Sequence, residues 1–132
     1  MSSEYRTPEQ LAEIAEKAFG KPKTFRLDRD GDRDLTFTGW EIGKGERNAH
    51  SITLVKIYLT KGQNLVTQVQ TLARQDKSLI SQTVGNHNTA PEALDWLKED
   101  NGDSLGSASK TAWEEACRAW PPIAEYETET FS

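Results

Sequence analysis

The residues with the densest chemical potential lie in "LDRDGDRDL", residues 27–35, where Asp28, Asp30, Asp32 and Asp34 alternate around Gly31. A calcium loop of the EF-hand type needs carboxylates at positions 1, 3 and 5, glycine at 6 and glutamate at 12. Counting from Asp28 places Arg33 at position 6 and Gly39 at position 12; setting Gly31 at position 6 places Arg26 first and Phe37 last. Both registers fail, and Arg29 and Arg33 add positive charge among the would-be ligands. Strand parity supplies another use for the stretch. A two-residue Asp30-Gly31 turn would set Leu27 against Asp34, whereas an odd loop puts apolar residues opposite each other. Three residues, Arg29 to Gly31, pair Phe25 with Leu35; five centred on Gly31 pair Leu27 with Leu35 and Phe25 with Phe37. The stretch therefore reads as a charged hairpin tip.

The remaining reactive side chains are few. His50 and His87 are the only histidines, the former two positions past Asn48 and the latter between Asn86 and Asn88, and no Cys or His spacing completes a metal site around them. Both read as polar loop residues; if "NAH" and "GNHN" converge, they form the rim of a small-ligand or enzyme site. Cys117 is the single cysteine and sits between Trp113 and Trp120 on a helical face, which points to packing rather than nucleophilic catalysis. No nucleophile elbow, Walker loop or dinucleotide fingerprint occurs, and "GKG" at 43–45 reads as a flexible connector. No catalytic residue, metal ligand or cofactor is assigned.

The elements that must position these groups are clearer. "RTPEQLAEIAEKAFG" predicts a helix over about 8–19, with Thr7 as N-cap, Pro8 in the first turn, Gln10 completing a capping box and Gly20 as the stop. Leu11, Ile14, Ala15, Ala18 and Phe19 form its apolar stripe. From Thr24 to about residue 84 the period becomes two, predicting four or five antiparallel strands. "FTGWEIGKGERNAH" breaks the second strand with three glycines. "SITLVKIYL" is the central strand, and a Lys61-Gly62-Gln63 loop pairs it with "NLVTQVQTLA" so that Leu59 meets Leu65, Ile57 meets Thr67 and Val55 meets Val69. The opposite face then carries Lys56 beside Gln68, Leu54 beside Gln70 and Tyr58 near Val66. This half-polar face is the expected partner surface. "KSLISQTV" supplies a fifth strand before the turn-like "GNHN". Thr89 and Glu92 open a short helix near 90–99, and "SASKTAWEEACRAW" is helical until Pro121, with Trp113, Ala116, Cys117 and Trp120 on one face.

Residues 35–69 and the closing helix resemble the small bacterial proteins known as the EXLDI family, in which an F-x-G segment precedes a strand ending in Y-x-T-x-x-G. The matching positions are Phe37 and Gly39, then Tyr58, Thr60 and Gly62. The closing "ETETFS" departs from the acidic-aliphatic terminus that names the family. The resemblance implies the same hairpin layout and a prokaryotic source, and it implies no catalytic residue.

At 132 residues the chain suits one α+β domain, 1–132: a four- or five-stranded antiparallel meander with an N-terminal helix and two C-terminal helices packed on one face. No segment approaches the roughly 20 apolar residues of a membrane span, and the N-terminus lacks signal-peptide features, so a cytoplasmic protein is expected. The net charge of −5 is uneven. Residues 1–41 carry −2, residues 42–80 carry +4 and residues 81–132 carry −7. Lys44, Arg47, Lys56, Lys61, Arg74 and Lys77 supply the basic middle, yet Tyr58 alone is a thin platform for base stacking and the overall acidity opposes phosphate binding. Single-stranded nucleic acid is thus the third reading, after the small-ligand or enzyme site at His50 and His87. The leading reading is a non-enzymatic protein-binding or regulatory module, acting on a protein partner or by self-association through Lys56, Tyr58, Gln68 and Gln70.

Overall fold

A computed structural model describes residues 8–28, 33–99, 106–121 and 123. The elements run α1 (Pro8–Phe19), β1 (Lys23–Leu27), β2 (Leu35–Asn48), β3 (Ser51–Thr60), β4 (Leu65–Ala73), β5 (Leu79–His87), α2 (Ala90–Glu99) and α3 (Ser107–Ala119). The five strands form one antiparallel sheet in chain order, curled, with α+β architecture as expected. Leu27 pairs with Leu35 and Phe25 with Phe37, the register of the loop centred on Gly31. The hairpin tip itself, residues 29–32, and Thr7 of the expected N-cap lie outside the described residues. The β3–β4 register is the expected one, and its three-residue loop ends at Gln63, which adopts φ 70° where glycine is usual.

The main core lies between the sheet and the helices, built from Val55, Ile57 and Leu59 on β3, Leu65 and Val69 on β4, and Leu94, Leu97, Trp113 and Trp120 from the helical layer. Only part of the α1 stripe joins it. Ala15 is buried and Leu11 and Phe19 pack against the core, while Ile14 and Ala18 are exposed, because the contact follows a narrow i, i+4, i+8 line. Gly20 caps the helix at φ 92°, its N–H on Glu16, and its carbonyl accepts from Trp40 Nε1 at 2.9 Å. That bond ties the helix end to the core tryptophan.

Two expected boundaries are corrected. The glycines do not break β2, which continues for 14 residues through Gly39, Gly43 and Gly45. A bulge at Ile42 shifts the pairing from Glu41–Tyr58 to Gly43–Ile57, so that Trp40 before it, Ile42 itself, and Gly43 and Gly45 after it all turn toward the helices. There α3 lays Ala108, Ala112 and Ala116, spaced four apart, against the glycines. A Cβ on Gly45 would fall on the Ala108 carbonyl, and one on Gly43 on the Ala112 carbonyl. "GKG" is therefore a helix seat rather than a flexible connector. Likewise β5 does not stop at Val84 but runs on to His87. Gly85 lacks the side chain that would strike the His87 ring and Trp96 of α2.

Because the obstacle at Gly45 is helix backbone, Gly45→Ala must push α3 off the sheet. A loss on the order of 2–3 kcal/mol is expected in urea unfolding, with Lys44→Ala, at an exposed neighbouring position, nearly neutral.

Candidate functional site

The sheet face away from the helices holds the expected surface, and its residues are mostly spoken for. Leu27, Tyr58 and Val66 form a second, small core to which Phe25, Leu35, Phe37 and Val84 pack. The rings of Phe25, Phe37 and Tyr58 meet mutually at 4.9–5.3 Å between centroids. These contacts follow from the hairpin register: Gly39 pairs with Thr60, and any Cβ there would strike the Leu59 carbonyl, so the glycine lets β2 lie close to β3 beside the ring cluster.

Beside the rings runs a chain of hydrogen bonds. Tyr58 donates its hydroxyl proton to Gln68 Oε1 at 2.9 Å; Gln68 Nε2 and Gln70 Nε2 donate to Gln82 Oε1 at 3.0 and 2.6 Å. Gln82 Nε2 in turn donates to the carbonyl of Asp28, just past β1. The chain therefore spans from β3 across β4 and β5 to the opposite edge of the sheet, and it holds the curl. This corrects the expectation for that face. Tyr58 and Gln68 are 3% and 5% exposed and already bonded within the chain, so they are closed to a partner; Lys56 and Gln70 are half-buried beside them. Gln82, which completes the network, was not foreseen, because only the curl brings it to Asp28. Burial, aided by the nearby Glu41 carboxylate, pushes the Tyr58 hydroxyl up to about 12.

The histidines do not converge. His50 is exposed in the β2–β3 turn, next to Ser51, which pairs with Ala73. His87 lies level with Leu65 and Leu59 at the other end of β3, roughly 25–30 Å away at strand rise. A shared His50/His87 site is thereby ruled out by geometry. Nor is His87 a loop residue: it is 6% exposed, shares a 2.9 Å hydrogen bond through Nε2 with the fully buried Thr67 Oγ1, and packs on Trp96 at 5.5 Å. Burial holds its pKa below the ordinary value, with Glu92 opposing the shift. The basic residues also scatter. Lys44 and Lys56 pair across β2 and β3, while Lys61 and Arg74 lie in turns at opposite ends of the sheet. With Tyr58 buried, the expected base-stacking platform is closed. Among the described residues no group of three or more His, Cys, Asp or Glu side chains could hold a metal ion.

What stays open is an edge. The sheet order leaves β1 and β5 outermost. β1, "KTFRL", carries Lys23 and Arg26, the latter paired with Asp34 at 2.7 Å, and such charge guards an edge against further pairing. β5, "LISQTVGNH", has no Lys, Arg, Asp or Glu in nine residues. Leu79 and Ile80 at its start are 51% and 61% exposed, the most exposed large hydrophobics among the described residues. Ser81 and Thr83 are exposed beyond a bulge at Ile80. The preceding turn is fixed by Asp76 Oδ1, which accepts from Ser78 N at 3.0 Å and Ser78 Oγ at 2.8 Å.

Comparison of the chain with protein-family models, curated proteins and solved structures finds no significant match in any of the three. No helix among the described residues is long and apolar enough to cross a membrane.

Two titrations test these assignments. The raised Tyr58 pKa makes its contribution to stability full below the unfolded value of 10.0 and lost as pH rises toward about 12. Tyr58→Phe should remove that alkaline decline and, by leaving Gln68 Oε1 short of a donor, cost about 1–2 kcal/mol at neutral pH. For His87 the sign is opposite: its contribution is present above 6.5 and lost as pH falls, because the unfolded chain takes up the proton first. The urea midpoint should drop from about pH 7.5 to about pH 5.5, and less so in His87→Gln.

Proposed function

We propose that this protein is a non-enzymatic binding module that works by self-association, two copies joining antiparallel along β5. The observation that carries the reading is the uncharged, unguarded β5 edge with exposed Leu79 and Ile80, set against a charged β1 edge. An outer strand offers unpaired N–H and C=O groups to another strand, and main-chain bonds supply affinity while neighbouring side chains supply selectivity. A second copy is the partner that the charge pattern fits. A two-fold antiparallel pair brings both copies of every edge residue into one short interface, so like charges on that edge are doubled there while an uncharged edge adds none. β1 would gather Lys23 and Arg26 of both copies into a five-residue interface; β5 has no such conflict.

The interface this creates is an extension of the sheet, with Leu79 and Ile80 contributing apolar area to it. The polar face at Tyr58 and Gln68 takes no direct part. Its role is to hold β5 in place through Gln82.

Sedimentation equilibrium decides the matter. The wild-type chain should show dimer mass with a concentration-dependent monomer fraction, and Ser81→Lys with Thr83→Lys, both at exposed positions, should give folded monomer with an unchanged circular dichroism spectrum and a melting temperature independent of concentration. Wild-type chain that stays monomeric, or a lysine variant that still dimerises, overturns the proposal. Monomeric wild type that takes up an extended peptide along β5 would point to a foreign partner instead.

A further inference from the structure

A cavity of about 130 Å³ lies where α1, the β3–β4 turn and the start of α2 meet. Its floor is apolar and withdrawn from water, since Leu59, Leu65, Ala90, Trp120 and Ile123 line it and none is more than 4% exposed. Half-buried Leu11 forms the wall on the α1 side. Asn88 and Thr89 are exposed and carry the opening to solvent. The space is thus an apolar hollow with a mouth beside the α2 cap, past the His87 end of β5 and away from Leu79 and Ile80.

These walls offer little to a polar guest. No Lys, Arg, His, Asp or Glu lines the cavity. The Asn88 N–H already donates to Glu92 Oε2 at 3.1 Å, and Thr89 Oγ1 accepts from the Glu92 N–H at 3.3 Å, both in the α2 cap. Gln63 joins the wall, but its Nε2 is buried and is not presented to the cavity. A charged or strongly polar molecule would lose its water here without replacement, whereas a hydrocarbon would supply dispersion contacts that the walls lack. Packing does not demand the space either. Ala108 and Ala112 must be small because the β2 glycines lie against them, while Ala90 borders open volume that a longer aliphatic side chain would fill.

We propose that this cavity binds a small uncharged hydrocarbon of about benzene size, held against Leu59, Leu65, Trp120 and Ile123 by shape and dispersion. Size follows from the volume, since an apolar cavity on the order of 150 Å³ takes up benzene. The class follows from the lining, which is apolar at the floor and carries no charge. Because Leu11 supplies the α1 wall, the guest also ties α1 to the core. This site is separate from the β5 edge, and neither proposal depends on the other.

The test uses the full chain with benzene and with pyridazine, a ring of the same size carrying adjacent nitrogen acceptors. Benzene should give saturable NMR shifts at the Trp120 indole and the Leu11, Leu59 and Leu65 methyls and raise the melting temperature. Pyridazine should bind about tenfold more weakly. Ala90→Leu and Leu11→Phe fill the space from two sides; each should raise the melting temperature of the unliganded chain and weaken benzene binding about tenfold. Absence of saturable shifts, pyridazine binding as tight as that of benzene, or benzene affinity unchanged in both variants overturns the proposal. A lower melting temperature in both variants does the same, because it shows that the space is not free.

Discussion

The contact on which the rest of the structure depends is the seating of α3 on β2. Gly43 and Gly45 present bare backbone, and Ala108, Ala112 and Ala116 present the smallest side chains that still favour a helix, so the helix settles against the strand itself. This close approach allows Trp113 and Trp120 to reach Phe19, Trp40 and the β3 core across a thin seam. The bulge at Ile42 belongs to the same arrangement. Without the extra residue, parity would turn either Trp40 or the glycines away from the helix.

Covering one face with helices leaves the other to be settled by the sheet alone. Three rings and a few aliphatic side chains are too little for a full second core, and the sheet closes the remainder by curling until β5 reaches the end of β1. The curl takes Tyr58, Gln68 and Gln82 out of water, and their mutual hydrogen bonds compensate for that removal. Buried glutamines of this kind act as links between strands rather than as recognition groups. The same holds at the helix side, where Thr67 and His87 satisfy one another beneath Trp96.

Once both faces are closed, the positions open to other molecules are the boundaries of the layers. The β5 edge is one, because a sheet of five strands in sequential order must end in a strand with an unpaired side. The corner where α1, α2 and the β3–β4 turn fail to meet completely is another. Neither requires a charged cluster, which accords with the scatter of Lys44, Lys61 and Arg74 over the surface.

Local chemistry was enough for much of this fold. Pro8 and Gly20 delimit α1, Thr89 and Glu92 open α2, and period-two alternation with turn parity yields the register of β3 with β4 and the Leu27–Leu35 pairing, because all of these depend on residues close in the chain. The glycines of β2 misled for the same reason. Locally a glycine weakens a strand, and only the helix arriving from some sixty residues later explains its presence. Tyr58, Gln68 and Gln70 were correctly placed on one face, but their burial depends on Gln82 and Asp28 meeting across the curl. His50 and His87, both in asparagine-containing stretches, end at opposite ends of the sheet, one in water and one beneath a tryptophan. By itself the sequence determined the elements, their order and their register, since those are matters of short-range backbone preference and alternation. Which polar groups face water, which edge stays open and where a cavity remains were decided only by the tertiary structure, because burial is a property of what packs together from distant parts of the chain.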